Sequence, residues 1–171
     1  MAEFIPFRPG TFESLICKSA MDHFVDLDRA FREFARVVRP KGRAVVSANN
    51  YGGLTTRVSR LLYRVVRTVW PPARRKQFFW DSPVPLQHTF ECTYDNVGAL
   101  GKPYFAKVEG YGVSLLWGFP GWGKAISFVP EPLRLLILRA LNKLARPVPR
   151  WADAFVYVWQ PNVEGSPPSG L

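Results

Sequence analysis

Few side chains in this sequence could move a proton near neutral pH. The chain has two histidines, His23 and His88. The ordinary histidine pKa of about 6.5 allows either one to take a proton from a hydroxyl or a carbon acid. Asp22 stands beside His23 and could orient it, although the side chains of adjacent residues more often point apart. His23 is therefore a candidate general base, and a structural histidine that caps its loop is the alternative interpretation.

A second group of polar residues, His88, Glu91 and Cys92, lies close together along the chain. Its spacing fits none of the standard metal-ligand sets. The two cysteines, Cys17 and Cys92, are too few for a zinc site or a disulfide framework. The sequence therefore predicts no metal site.

The elements that must position these side chains follow from the hydrophobic pattern. Residues 13–17 form a short apolar run and are predicted to be a strand, and residues 44–48 are predicted to be a second strand. Between them, apolar residues recur at helical spacing over residues 27–38, after a cap at Asp26 or Asp28 and before a stop at residues 40–42. A strand, a helix and a strand with short connections predict a parallel pair.

The rest of the chain is predicted in the same way. Helices are expected over residues 54–69, 94–100 and 132–145, and strands over residues 105–116 and 154–159. Residues 74–89 read as irregular, and residues 117–124 as a loop rich in Gly, Pro and Trp.

Polar residues follow both strands of the predicted parallel pair. Ligands of open α/β sheets bind beyond the carboxyl ends of the strands. Lys18, Ser19 and Ala20 follow the first strand, and Asn49, Asn50 and Tyr51 follow the second. These six residues are candidates for ligand contact. The alternatives are an ordinary strand-to-helix connection and, for Asn-Asn-Tyr-Gly-Gly, a turn.

The positive charge is concentrated in one segment. The net charge is +10, and residues 34–80 contain no acidic residue. In the predicted helix over residues 54–69, Arg57, Arg60, Arg64 and Arg67 lie opposite an apolar stripe. This pattern fits a helix lying on anionic lipid, a phosphate-binding surface, or a helix packed on the sheet with a solvated arginine face. The sequence leaves these three interpretations open.

Composition excludes several classes of protein. No apolar run reaches the length of about 18 residues that a membrane-spanning helix needs, and the N-terminus lacks the pattern of a secretory signal. We expect a soluble, cytoplasmic protein, with peripheral contact to a membrane as an option.

Five short motifs stand in one order near the N-terminus. They are Ile5-Pro6-Phe7, Gly10-Thr11-Phe12-Glu13, Asp22-His23-Phe24, Ala30-Phe31-Arg32-Glu33 and Arg36-Val37-Val38-Arg39-Pro40-Lys41-Gly42-Arg43. Over residues 3–48 this arrangement resembles the second half of a class I S-adenosylmethionine (SAM) dependent methyltransferase of the methyltransferase-11 or UbiE-like type. Two residues depart from the family's pattern: Glu13 stands where Asp is usual, and Lys41 replaces the first of two glycines.

The resemblance implies an α/β fold, an incomplete Rossmann-like methyltransferase sheet with flanking helices, and SAM as the cofactor. The family's glycine-rich SAM loop has no counterpart in this sequence. We therefore expect that the N-terminal strands are missing, that the sheet has an exposed apolar edge, and that this chain alone binds SAM poorly. In the family, the loop at Lys18, Ser19 and Ala20 runs beside the cofactor, and His23 lies near the methyl-transfer cleft.

The acceptor side is predicted at Asn49, Asn50, Tyr51 and His88. The many Trp and Phe residues suggest a small or lipid-like acceptor. Methyl transfer from a sulfonium needs no metal, because the methyl group is already a good electrophile. The alternative function is a non-catalytic remnant that acts as a basic membrane-binding or partner-binding module, and nucleic-acid binding is disfavoured.

The predicted organisation is a partial methyltransferase domain over residues 1–160 and a flexible tail over residues 161–171. Within the domain, residues 1–50 are expected to form the strand-helix-strand core. Residues 51–103 are expected to form a helical and irregular lid-like insert, and residues 104–160 a strand-helix-strand unit.

Overall fold

A computed structural model of the chain describes residues 1–70, 72 and 90–162. These residues form one mixed four-stranded sheet with flanking helices. The strands are β1 (Phe12–Lys18), β2 (Val38–Asn49), β3 (Phe105–Val113) and β4 (Ala154–Pro161). The α-helices are α1 (Leu27–Val37), α2 (Leu54–Val69), α3 (Tyr94–Gly101), α4 (Trp122–Ser127) and α5 (Glu131–Ala145), and a 3-10 turn spans Met21–His23.

The order of the strands in the sheet is β1-β2-β4-β3. β1 pairs with β2 in parallel, so the predicted parallel pair joined by a helix is confirmed. β4 pairs antiparallel with both β2 and β3. The carboxyl ends of β1, β2 and β3 and the amino end of β4 therefore meet at one end of the sheet, which we call the carboxyl end.

The outer edge of β1 has no strand beside it among the described residues. Ile16, in the middle of this strand, is 75% exposed. β1 is thus an edge strand, as expected, and it carries an exposed apolar side chain on one face of the sheet.

The core lies between the sheet and helix α1. The Asp26 carboxylate caps α1 by accepting a hydrogen bond from the Arg29 N–H at 2.9 Å. The helix then buries four apolar residues, Ala30, Phe31, Phe34 and Val37. Phe31 meets a ladder of stacked rings, with its ring centroid 6.4 Å from that of Phe105 and 5.3 Å from that of Trp159. The ladder consists of Tyr94 on α3, Tyr157 and Trp159 on β4, and Phe105 on β3, with successive ring-centroid distances of 4.6, 4.7 and 5.4 Å.

Two boundaries differ from the predicted ones. α1 ends at Val37 and β2 begins at once, so Pro40 and Gly42 lie inside a long strand rather than in a separate turn. The predicted loop over residues 117–124 contains the start of helix α4. Gly121, at φ 81°, enters that helix in the left-handed conformation that glycine accepts without strain.

Two other predicted features fall on residues that the structure does not describe. The irregular stretch 74–89 lies outside the described residues. The same is true of the tail beyond residue 162.

Candidate functional site

The loop that follows β1 lies at the carboxyl end of the parallel pair, as predicted. Lys18 and Ser19 are exposed, and Ala20 is half-buried. Ser19 adopts a left-handed conformation with φ 48°, and its N–H donates a hydrogen bond to the Ser47 carbonyl at 2.8 Å. This bond ties the loop to the neighbouring strand, so its outer surface is held in one orientation. Contact between this loop and a cofactor stays a prediction.

His23 ends the 3-10 turn that follows this loop. Met21, in the same turn, is fully buried and anchors it. The His23 side chain is 41% exposed, and its Nε2 lies 3.9 Å from Oδ1 of Asp22. An accessible imidazole can take up a proton from a bound molecule, which is the role predicted for His23.

Behind the turn lies a buried cluster of groups that stay neutral. Burial and the charge of Asp22 raise the pKa of Cys17 to about 11 and that of Cys92 to about 12. The same two effects raise the pKa of Tyr51 to about 12. A thiol binds metal or attacks an electrophile as its thiolate. Both thiols therefore remain protonated near neutral pH and act as small apolar residues.

Asn50 is buried and holds a neighbouring loop in place. Its side-chain N–H groups donate to the carbonyls of Pro149, Arg150 and Ala152 at 3.1, 3.1 and 3.0 Å. Its side-chain oxygen accepts from the Gly52 N–H at 3.1 Å. The donors and the acceptor of this amide are therefore all used in hydrogen bonds within the protein. Asn49, next to it, is exposed.

The loop that Asn50 holds forms one wall of a cleft with two adjoining cavities. The polar cavity has a volume of about 260 Å³, and the apolar cavity one of about 370 Å³. The polar cavity is lined by Asn50, Gly52, Arg57, Thr93, Tyr94, Asp95, Arg150 and Trp151. The apolar cavity is lined by Tyr94, Pro147, Val148, Pro149, Arg150 and Trp151. The two share three residues, so one molecule could occupy both.

The polar cavity contains charges of both signs. Arg150 Nε donates to Asp95 Oδ1 at 2.9 Å across its wall. Arg57, from the first turn of α2, adds a second guanidinium. Because the Arg150 charge is matched by Asp95, Arg57 leaves this compartment with a net positive charge that suits a polar or anionic head group.

Asp153 is a buried acid that the sequence analysis did not single out. Its Oδ2 accepts a hydrogen bond from the Trp117 N–H at 2.7 Å, and its Oδ1 has no hydrogen-bond partner among the described residues. Burial raises its pKa, and hydrogen bonds from Thr55 and Trp117 oppose that rise. The only sequence signal was a lone carboxylate directly before the last strand. It fastens the loop after β3 to the start of α2.

The remaining predicted candidates do not form a metal centre in the part of the chain that is described. Glu91 pairs with Arg60 at 2.7 Å. His88 lies outside the described residues. No group of three or more His, Cys, Asp or Glu side chains among the described residues is arranged to hold a metal ion.

Comparison with known proteins agrees with the resemblance stated from the motifs. A family model described as a methyltransferase domain matches residues 1–46. No curated protein sequence matches the chain.

Several solved structures share its fold. One is a SAM-dependent methyltransferase of Thermotoga maritima, described as a possible histamine N-methyltransferase. Its TM-score is 0.54 at 13% sequence identity, and the match covers 94% of this chain and 60% of that one. A SAM-dependent methyltransferase from Methanosarcina mazei has a TM-score of 0.52 at 15% identity, with 96% and 66% covered. The [4+2]-cyclase SpnF has a TM-score of 0.53 at 13% identity, with 95% and 55% covered.

These likenesses establish the fold. The chain spans 55 to 66% of the length of the three solved structures. A cyclase stands among them beside two methyltransferases, so the fold alone does not determine the reaction.

Proposed function

We propose that this chain, whose sheet and helices have the fold of SAM-dependent methyltransferases, forms the acceptor-binding part of such an enzyme. The observation that carries the proposal is the placement of the cleft. It lies at the carboxyl end of β2, beside the parallel pair that matches the methyltransferase family model. This is the end of an open α/β sheet at which ligands bind.

In this proposal the loop after β1 lies along one side of the SAM site. Lys18, Ser19 and Ala20 border the position next to β1, while none of the strands in the described part of the chain ends in a Gly-x-Gly turn. Such a turn lets the backbone approach the cofactor closely. The residues present therefore border SAM on one side only, and we expect the 171-residue chain to bind it weakly.

The shape of the cleft supports a lipid-like acceptor. A compartment that contains Arg57 and the Asp95–Arg150 pair adjoins one lined by Tyr94, Trp151 and a proline-rich loop. A molecule with a polar head and an apolar body would satisfy both compartments, whereas a small polar molecule would fill only the first.

Methyl transfer requires few chemical groups from the protein. SAM, when bound, supplies a methyl group on a sulfonium that is already electrophilic. The chain must hold the acceptor in line and take its proton where the acceptor nucleophile is protonated. His23, exposed and next to Asp22 in the turn after β1, is the residue proposed for the proton. It lines neither cavity, so the proposal requires the reacting end of the acceptor to extend from the cleft towards that turn.

The test uses the full chain with tritium-labelled SAM and a lipid extract as the source of acceptor. We expect calorimetry to show no micromolar SAM binding, and labelled lipid to form when SAM is raised to millimolar concentration. Arg150→Ala should lower the transfer about tenfold or more, because it removes a charge from the cleft wall. Arg146→Ala is the matched control, since Arg146 also pairs with an exposed carboxylate, Glu109 at 3.4 Å, but does not line the cleft.

Three results would count against the proposal. No labelled lipid at millimolar SAM would contradict the enzymatic function. An equal effect of both arginine variants would contradict the assignment of the cleft. Micromolar SAM binding would contradict the expected weak affinity while leaving the enzyme class in place.

A non-catalytic binding module is the second candidate, and one observation favours it. Helix α2 exposes an apolar stripe beside its arginines. Vesicle binding without methyl transfer would support this second candidate.

A further inference from the structure

Helix α2 has its amphipathic pattern turned outward. The side that it buries against the rest of the protein consists of small polar residues, Thr55, Thr56 and Ser59. Its large apolar side chains are exposed; Leu61 is 61% and Val69 is 77% exposed. The exposed apolar side chains are those of Leu54, Val58, Leu61, Leu62, Val65, Val69 and the adjoining Trp70. A helix that contributes to a core has the reverse arrangement.

Helix α5 also exposes an apolar stripe. Leu133, Leu136 and Leu144 recur at spacings of three and eight residues, so they lie on one side of the helix. They are 51%, 64% and 62% exposed. Within this helix only Ala145 is fully buried. Nearby, Trp117 and Phe128 add 74% and 77% exposed aromatic side chains before the helix begins.

The two helices are fixed to the same end of the sheet. The Leu54 N–H, at the start of α2, donates to the Trp151 carbonyl at 3.0 Å, and Thr55 Oγ1 accepts from the Leu116 N–H at 3.2 Å. The Asn142 side chain, in the last turn of α5, accepts from the Ser114 N–H at 3.2 Å. One short segment after β3 therefore holds the base of both helices at the carboxyl end, next to the cleft.

The charges beside these stripes are positive. α2 contains four arginines and no acidic residue. Arg57 and Arg64 are exposed, while Arg60 is paired with Glu91. In α5, Arg139 and Lys143 are exposed, against a single acid, Glu131. Exposed apolar stripes flanked by cations match an anionic bilayer surface, which offers both phosphate charge and an apolar interior.

We propose that the outward faces of α2 and α5 together form a docking surface for an anionic lipid bilayer. A nucleic acid would meet the arginines but would leave the leucine and valine stripes in water. A second copy of the chain would bring together two patches of the same positive charge, because a two-fold contact uses the same patch on both sides. Of these three occupants, the bilayer satisfies both features.

Docking in this way would place the cleft against the membrane. This consequence rests on the proposed function, since a lipid-like acceptor could then enter the cleft directly from the bilayer. Docking itself does not require methyl transfer, so the two proposals are tested separately.

The test is co-sedimentation of the full chain with phosphatidylcholine vesicles, with or without phosphatidylglycerol, in the absence of SAM. We expect binding only to vesicles that contain phosphatidylglycerol, and release at high salt. The charge variant Arg57→Ala/Arg64→Ala should weaken the binding about 25-fold, since one cation near an anionic surface contributes a factor of about five. Lys41→Ala/Arg43→Ala is the matched control, because it removes the same charge at the far end of β2 and should have a much smaller effect.

Apolar variants test the stripes separately. Leu61→Gln on α2 and Leu136→Gln on α5 should each weaken the binding about tenfold, since each removes a leucine that enters the bilayer. Val108→Gln is the control, because Val108 is an exposed apolar residue on the edge strand β3. All of these side chains are exposed, so the variants should fold, and circular dichroism checks that they do.

Any of the following results would overturn the proposal. They are no sedimentation with anionic vesicles, equal sedimentation with neutral ones, control variants as weak as the helix variants, and a stable dimer in ultracentrifugation that the leucine variants dissociate. Arginine-dependent binding to single-stranded RNA without vesicle binding would also overturn it.

Discussion

In helix α1 the apolar residues Phe31, Phe34 and Val37 are buried against the sheet, whereas in helix α2 the apolar residues lie on the solvent side. The surfaces that receive the two helices explain the difference. α1 meets a ladder of aromatic rings, with the Phe31 ring centroid 5.3 Å from that of Trp159. α2 meets main-chain atoms of the loops at Trp151 and Leu116, where small hydroxyl side chains fit.

Sequence periodicity therefore identifies an amphipathic helix, but it does not determine which side of the helix faces the core. The neighbouring surface decides that. Where the neighbour is apolar, the stripe turns inward; where the neighbour is a hydrogen-bonding loop, the polar side turns inward and the stripe is left for another partner.

The largest effect should separate the two helices directly. Phe31→Ala should lower the free energy of unfolding by about 4 kcal/mol, because it leaves a cavity in the core. Leu61→Ala on α2 should change it by less than about 0.5 kcal/mol, because that side chain is exposed. Urea denaturation measures both. A similar loss in the two variants would show that the α2 stripe is buried after all.

A smaller effect should come from the carboxylate at the base of α2. Asp153→Ala should cost about 2 kcal/mol, because the Trp117 N–H and the Thr55 hydroxyl lose the buried carboxylate that accepts from them. Asp153→Asn is the control that keeps an acceptor.

The same residue has a pH signature. Burial raises the pKa of Asp153 above its ordinary value of 3.8, so its contribution to stability is complete below that value and is lost as the pH rises through the folded-state pKa. Asp153→Asn should therefore gain stability relative to the original chain as the pH rises. The same dependence of the free energy of unfolding on pH in the two proteins would contradict this account.

The smallest effect belongs to the region around α1. Glu33 accepts hydrogen bonds from Arg36 at 2.6 and 2.7 Å and from the Ile5 N–H at 2.9 Å, and these lower its pKa to about 2. Its contribution is present above the ordinary value of 4.5 and is lost as the pH falls towards 2. Glu33→Gln should cost about 1.5 kcal/mol at pH 7 and nothing at pH 2. A cost that persists at pH 2 would assign the effect to packing instead.

Much of the fold could be predicted because its signals are local. The parallel pair and helices α2, α3 and α5 were predicted within a few residues of their observed bounds. The missed boundaries have a physical reason. Pro40 and Gly42 normally end a helix, but here the chain passes straight into a long strand, and Gly42 is kept small by the Glu13 carbonyl, 2.6 Å from where a Cβ would stand.

The site was less accessible to sequence reasoning, because it depends on contacts between distant residues. Asn50 was chosen for its position after a strand, and it lines the polar cavity, while its contact with an acceptor stays a prediction. Its amide donates hydrogen bonds to carbonyl groups about a hundred residues away, and such contacts between distant residues are set by the tertiary structure. Arg150 and Trp151 carried no motif, so only the fold could bring them into the cleft. Asp153, which lies outside both cavities, was missed for the same reason.

The most direct test of the account is hydrogen–deuterium exchange of the full chain with and without vesicles that contain phosphatidylglycerol. The outward orientation of α2 and α5 predicts slower exchange in peptides from those two helices when vesicles are present, and unchanged exchange in α1 and β2. Slower exchange in α1 together with unchanged exchange in α2 and α5 would contradict it.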